Sequence, residues 1–291
     1  MNLTRVRVDQ RGQSTVEWVG LLLVVALVVA VLGTIAGVGL PGAALAHGIG
    51  ERIVCAVGLS GSCDAQRSGL AVAYGDELAA LVADHAPELR YESGMRALPV
   101  DFRSCREDAC AEGPERGPAT RSRTGEPTTA FVHAIDCRPG AAIARPPAAD
   151  CSPPREGNVY LQFWLYYPGS ATGEGSLAPD VIRELTGGAT YHPDDWESYQ
   201  VRIGPAGRHA RASAHHGYGG GWTGAHGSVH VAGGSHAGSM LPRDFARWTR
   251  AADLRLIPIE SLGRRARRTR FAVTPPWRKR VWRDPEYEGT G

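Results

Sequence analysis

Residues Val159 to Tyr167 read VYLQFWLYY, nine residues with a single polar side chain. Aromatic and β-branched residues at this density fit a pleated, buried surface, so the run is expected to be a central β-strand. Two more strands are expected downstream, at Tyr199–Ile203 and Val229–Val231. Upstream, Leu78, Leu81 and Val82 fall at helical spacing between Tyr74 and Ala86, and Pro87 ends that helix. Charge, proline and glycine dominate 111–127 and 138–157, which read as long loops. The chain holds 37 glycines and 20 prolines, a loading that favours turns over long helices. No internal repeat is visible. The expected class is α+β, a β-rich, sandwich-like domain over residues 73–291 with its polar motifs at strand ends.

The formal net charge is only +2 over 291 residues, which gives no overall attraction to nucleic acid, and no specific nucleic-acid partner is expected. Charge is concentrated locally. Arg264, Arg265, Arg267, Arg268 and Arg270 fall within seven residues, a density that could grip phosphate, anionic lipid or an acidic polymer; a solvated loop is the competing reading. Cys55, Cys63, Cys105, Cys110, Cys137 and Cys151 form an even set without a CxxC pair, which argues against a zinc ribbon or a thioredoxin-like site. In an oxidising compartment, sequence neighbours are expected to pair: Cys55 with Cys63, Cys105 with Cys110, Cys137 with Cys151.

Between Trp18 and Leu40 no side chain is charged. Twenty-three residues at helical rise cover ~34 Å, enough to cross a hydrocarbon core of about 30 Å. Arg5, Arg7 and Arg11 precede this run, so the positive-inside bias places the N-terminus in the cytoplasm and the residues after 40 outside. Glu17 stands at the mouth of the apolar run, where an ionisable group is costly unless paired. The string RGQSTVEWVGLLLVV resembles the class III signals of type IV and tight-adherence pilins and of pseudopilins. That resemblance implies a leader over 1–12, cleavage by a prepilin peptidase between Gly12 and Gln13, a membrane helix over 13–40, and Glu17 as the assembly residue facing a neighbouring pilin-like subunit. Residues 41–72 read as a connecting helix and loop.

A second set of motifs lies in the exported part: HAPELRY at His85–Tyr91, YHPDDWESYQVRI at Tyr191–Ile203, and VHVAGGSHAGS at Val229–Ser239. With Asp195, Trp196 and Glu197 followed by Gly234, Ser235, His236 and Ala237, the arrangement resembles the domain family named after vacuolar protein sorting protein sixty-two. It implies a domain over roughly 80–290 and no particular reaction. Eight of the ten histidines follow residue 130. Asp195, Glu197 and His236 are the candidate catalytic residues. His192, Asp195, Glu197, His215, His216 and His236 are the candidate ligands of a divalent metal, because carboxylate and imidazole in one region can build a metal shell or an acid–base pair. Alternation along a strand puts Asp195 and Glu197 on one face and Trp196 on the other. No HExxH spacing and no GxSxG elbow is present, so hydrogen-bonded groups closing strand ends are the competing reading, and no cofactor other than a metal is called for.

These readings lead to an expected function: a single-pass, membrane-anchored minor pilin or pseudopilin displaying a large head outside the cytoplasm, on the cell surface or a pilus. Its expected partners are membrane lipid, the prepilin peptidase, other pilin-like subunits, and a surface glycan or anionic polymer. The alternative is an anchored extracytoplasmic metal-dependent hydrolase using the His/Asp/Glu group. The leader itself is checked by mass spectrometry of the mature chain, which should begin at Gln13; a chain still starting at Met1 in a host with active prepilin peptidase contradicts it.

Overall fold

In the computed structural model the residues described are 64–92, 97–114, 120–141, 149–171, 191–214, 217–218, 221–224, 226–241, 248–250 and 254–289, and all but Asp64 belong to the unit spanning 65–291. The expected leader over 1–12, the expected membrane helix over 13–40, Glu17 and the expected Cys55–Cys63 pair fall outside the described residues. Among the described residues no helix is long and apolar enough to cross a membrane. In chain order they form helices α1 (Asp64–Tyr74) and α2 (Asp76–Asp84), strand β1 (Glu88–Glu92), a short helix α3 (Asp108–Ala111) and strands β2 (Thr129–Asp136), β3 (Val159–Ala171), β4 (Tyr191–Gly204), β5 (Gly207–Ala212), β6 (Ser228–Val231), β7 (Gly238–Ser239), β8 (Trp248–Arg250) and β9 (Arg255–Pro258). One turn of helix, α4 (Arg264–Arg267), and three 3-10 turns at Ile259–Ser261, Pro276–Arg278 and Arg280–Trp282 complete the described elements.

The helix expected over 74–86 is divided. Gly75 interrupts it with φ 79°, a left-handed conformation that glycine adopts without steric cost, so α1 ends at Tyr74 and α2 restarts with Asp76 and Glu77 in its first turn. Pairing by the VYLQFWLYY strand organises the rest. β3 runs antiparallel to β2 on one side and to β4 on the other, β5 extends the meander, and β9 adds parallel to β2, giving the order β5-β4-β3-β2-β9. The second sheet, β7-β6-β1-β8, is built around a parallel β1–β6 pair in which Tyr91 lies opposite Val231.

Alternation assigns each residue of the five-stranded sheet to a face. Ala130, Val132 and Ala134 of β2, Leu161, Phe163 and Leu165 of β3, and Tyr199 and Val201 of β4 meet Leu89, Tyr91, Val229 and Val231 of the other sheet and Leu78 and Val82 of α2 in one core. The intervening positions point the other way. Phe131, Trp164, Tyr166 and Trp196 form a second, aromatic core with Phe102 and with Ile259, Leu262 and Val281 of the C-terminal segment. Both faces of the sheet are therefore buried, which explains why β3 carries so few polar residues. At about 1.5–3 kcal/mol per fully buried large apolar side chain, exposing either face would erase the stability of a domain this size. The sandwich expectation is extended accordingly: the outer face of the larger sheet is covered by irregular chain.

That cover is stitched on by polar groups reaching out of the sheet. Gln162 donates from Nε2 to the Val281 carbonyl oxygen at 2.8 Å, and Arg211 donates from Nη2 to the Pro285 carbonyl oxygen at 2.6 Å. The Trp282 indole stacks on the His133 ring with 3.4 Å between centroids, and both His133 nitrogens face acceptors, the Trp282 carbonyl at 3.2 Å and Glu260 Oε1 at 2.5 Å. The Tyr74 hydroxyl of α1 lies within hydrogen-bond reach of both Glu260 and the Val132 carbonyl oxygen, and its single proton serves one of them at a time. Two disulfides, Cys105–Cys110 and Cys137–Cys151, close the loops where neighbouring cysteines were expected to pair, and no described cysteine is free.

Burial pushes the Glu260 carboxyl up, but the His133 hydrogen bond and charge and the Tyr74 hydroxyl outweigh it and hold the group below the usual glutamate range. A lowered carboxylate pKa contributes stability that is present above the unfolded value, about 4.3, and is lost as pH falls through the folded one. Urea denaturation from about pH 6 to pH 3 should therefore show a shallower acid loss of stability in Glu260→Gln than in the parent. Parallel curves would remove Glu260 from the acid response.

Candidate functional site

The register of β3 against β4 sets Tyr167 opposite Asp195 and Leu165 opposite Glu197, all four on the inter-sheet face, while Trp196 enters the aromatic core on the other. Asp195 and Glu197 are buried. His236 reaches Asp195 from the turn between β6 and β7: its Nδ1 is 2.9 Å from Asp195 Oδ2, and its ring stacks on Tyr167 with centroids 3.9 Å apart and planes 2° from parallel. His236 has φ 52°, so this turn holds a non-glycine residue in the left-handed region. Glu197 accepts a hydrogen bond from Ser213, just beyond β5, whose backbone pairs with Ser198. Tyr167 and Tyr91 both bury hydroxyls that have no hydrogen-bond partner among the described residues. Burial, followed by the nearby Tyr91, Asp195 and Glu197, pushes the Tyr167 phenol well up.

Asp195, Glu197 and His236 are thus brought together. His192 lies three residues before Asp195, opposite Ser170 across the β3–β4 pair, and its Nδ1 is 2.8 Å from the Asp194 carbonyl oxygen. His215 and His216 lie outside the described residues. Among the described residues no three His, Cys, Asp or Glu side chains are grouped as a metal shell requires. Sequence reasoning missed Lys279. Its side chain is buried beside Trp164, with Nζ 5.8 Å from the ring centroid; burial lowers its pKa and the charges of Glu197 and Asp195 oppose that shift. Lys279 thus sits on the aromatic face of the sheet, near enough for the charges of the two buried carboxylates to act on it.

Asp194 was also missed. It has φ 60°, and its carboxylate accepts from Arg106 at 2.8 Å, the Tyr166 hydroxyl at 2.6 Å and the Ala272 backbone N–H at 2.8 Å. One buried carboxylate so ties the disulfide-closed 105–110 loop, β3 and the C-terminal cover to β4. Aspartate tolerates the left-handed region better than most residues, which is the local signal that could have marked it.

The C-terminal cover also forms a recess of about 550 Å³, lined by Asp150, Trp277, Arg278, Lys279, Arg280, Arg283 and Asp284. Arg155 holds both carboxylates, at 2.5 Å from Asp284 and 3.2 Å from Asp150. Trp277 packs its ring against Phe271 and Trp196, and its indole N–H is buried without an acceptor. Lys279 lines the recess while sensing the charges of Asp195 and Glu197. A second recess of about 440 Å³ at the start of α2 is less available, because its cation, Arg138, is already bound by Asp136 and Glu77.

No protein-family model and no curated protein matches the chain. Solved structures similar to it include NLPPya in complex with mannosamine (15% identity, TM-score 0.34, covering 69% of this chain and 84% of that one). NLPPya in complex with glucosamine is similar at 16% identity and TM-score 0.36, with the same coverage, and the non-toxic HaNLP3 protein at 14% and 0.35, covering 67% of this chain and 82% of that one. The expected function is corrected by these findings: the similar structures are NLP proteins, neither pilins or pseudopilins nor metal-dependent hydrolases. The physical reason is that the pilin-like string occupies about 25 N-terminal residues and carries no information about the domain that follows it.

Glu197 is buried, accepts a hydrogen bond from Ser213 and acts by its charge on the buried Lys279, so Glu197→Gln should cost roughly 1–3 kcal/mol in urea denaturation. Combining it with Lys279→Met should restore a substantial part of that loss. Strict additivity of the two changes would show that the groups do not interact.

Proposed function

We propose that residues 65–291 form an exported saccharide-binding domain, in which the buried Asp195–Glu197–His236 cluster is scaffold and the recess of the C-terminal cover is the binding site. The observation that carries this reading is the composition of that recess. It combines an indole with planar guanidinium and carboxylate groups around a volume of about 550 Å³. Saccharides have apolar C–H faces and rims of hydroxyls: an aromatic ring takes the first, while bidentate planar groups take the second. The volume falls within the range of about 300–1,000 Å³ usual for small-molecule sites. The buried cluster is less suited to contact a ligand, since Asp195 and Glu197 are 0% and 2% exposed.

Export is part of the proposal. Two disulfides support it, because such bonds persist in oxidising compartments. Saccharides are also the bound molecules in two of the similar NLPPya structures, although that likeness is too distant to assign a ligand to this chain.

The test is a glycan array probed with the labelled full chain in detergent, followed by titration calorimetry on the retained glycans. Trp277→Phe keeps an apolar ring in the aromatic core but narrows the ring surface that lines the recess. Affinity should fall roughly tenfold or more, equivalent to about 1.4 kcal/mol, with the melting temperature nearly unchanged. Retention of no glycan, or unchanged affinity in Trp277→Phe, overturns the assignment.

A further inference from the structure

The twenty residues from Arg264 to Arg283 contain nine arginines and lysines and no carboxylate. On a chain with a formal net charge of +2, this makes the rest net acidic and the field directional. Six of these cations, Arg264, Arg265, Arg268, Arg270, Arg278 and Arg283, are exposed, and none forms an ion pair with a carboxylate among the described residues. Elsewhere in the domain arginines do find such partners, as Arg103, Arg106, Arg138 and Arg155 do. An unmatched group of guanidiniums is costly to hold together, since like charges repel and only water and counterions relieve them.

The two halves of this segment are linked. Arg106 donates to the Arg270 carbonyl oxygen at 3.0 Å and lies over the Phe271 ring, and Phe271 packs on Trp277 at 5.9 Å between centroids. The turn of helix at Arg264–Arg267 and the recess beside Trp277 therefore belong to one stitched cover, fixed to the sheet through Asp194, Gln162 and Arg211. Preorganised guanidiniums suit carboxylate, sulfate or phosphate oxygens, which they bind in forked pairs.

We infer that residues 264–283 form an anion-binding strip that recognises an acidic polysaccharide, with one sugar unit in the Trp277 recess and the neighbouring acidic groups on the exposed arginines. This rests on the saccharide reading of the recess and adds the charge class of the ligand. A polysaccharide is favoured over an anionic membrane because Phe271 is packed in the aromatic core and Trp282 is stacked on His133, while Trp277 is anchored on that core and only partly open, toward the recess, so none of the three is free to insert into a bilayer. Membrane docking uses apolar groups free to insert beside the cations.

The experiment uses the full chain in detergent with three probes: oligogalacturonate, neutral maltohexaose, and phosphatidylglycerol vesicles. Oligogalacturonate should bind, with a dissociation constant that rises steeply between low and physiological salt. The triple variant Arg264→Gln/Arg265→Gln/Arg268→Gln and the double variant Arg278→Gln/Arg283→Gln should each weaken it at least roughly tenfold. All five side chains are exposed, so melting temperatures should match the parent. Oligogalacturonate binding that both variants leave unchanged overturns the strip. Maltohexaose bound as tightly as oligogalacturonate, and weakened by Trp277→Phe but not by the arginine variants, overturns the acidic class while leaving the saccharide reading intact. Binding to vesicles with neither saccharide bound overturns both.

Discussion

A β-sheet buried on both faces needs two covers, and that requirement governs this domain. The five strands β5-β4-β3-β2-β9 have one face against the smaller sheet and α2, and the other against chain that forms no sheet at all. Irregular chain carries backbone groups that a sheet or helix would satisfy internally, so a cover of this kind must find partners where it lands. Here they are side chains of the sheet itself, with Gln162, His133 and Arg211 presenting polar atoms among aromatic residues to Val281, Trp282 and Pro285.

Much of this architecture is legible in the sequence. VYLQFWLYY is long and apolar enough to be read as a central strand, and alternation along DDWES suffices to send Trp196 one way and Asp195 and Glu197 the other. β2 was less legible: TAFVHAID mixes small and ionisable residues, and its complete burial depends on pairing with β3 and β9, which no local pattern reveals. The start of β4 was hidden by His192, Pro193 and Asp194, which read as loop; the structure makes them strand because Asp194 finds Arg106, Tyr166 and Ala272.

The acidic and histidine residues could be named from the sequence but their surroundings could not. Tyr167 joins them through cross-strand register, Ser213 through a backbone contact past the end of β5, and the charge of Lys279 reaches them from a segment more than 80 residues away. Proximity in the chain brought Asp195 and Glu197 to notice; their burial follows from register with β3 on the inter-sheet face, which the local sequence does not reveal.

Lys279 lies in the wall of the recess, with its buried ammonium over the Trp164 ring of the aromatic core. The segment that carries it also closes the aromatic core. Shedding that segment to open the core would dismantle the recess, so a molecule seated there is held only while the cover is shut. Occupancy and resistance of the C-terminal segment to proteases thus become one equilibrium, and a bound chain acts as a bolt on the outer layer of the fold.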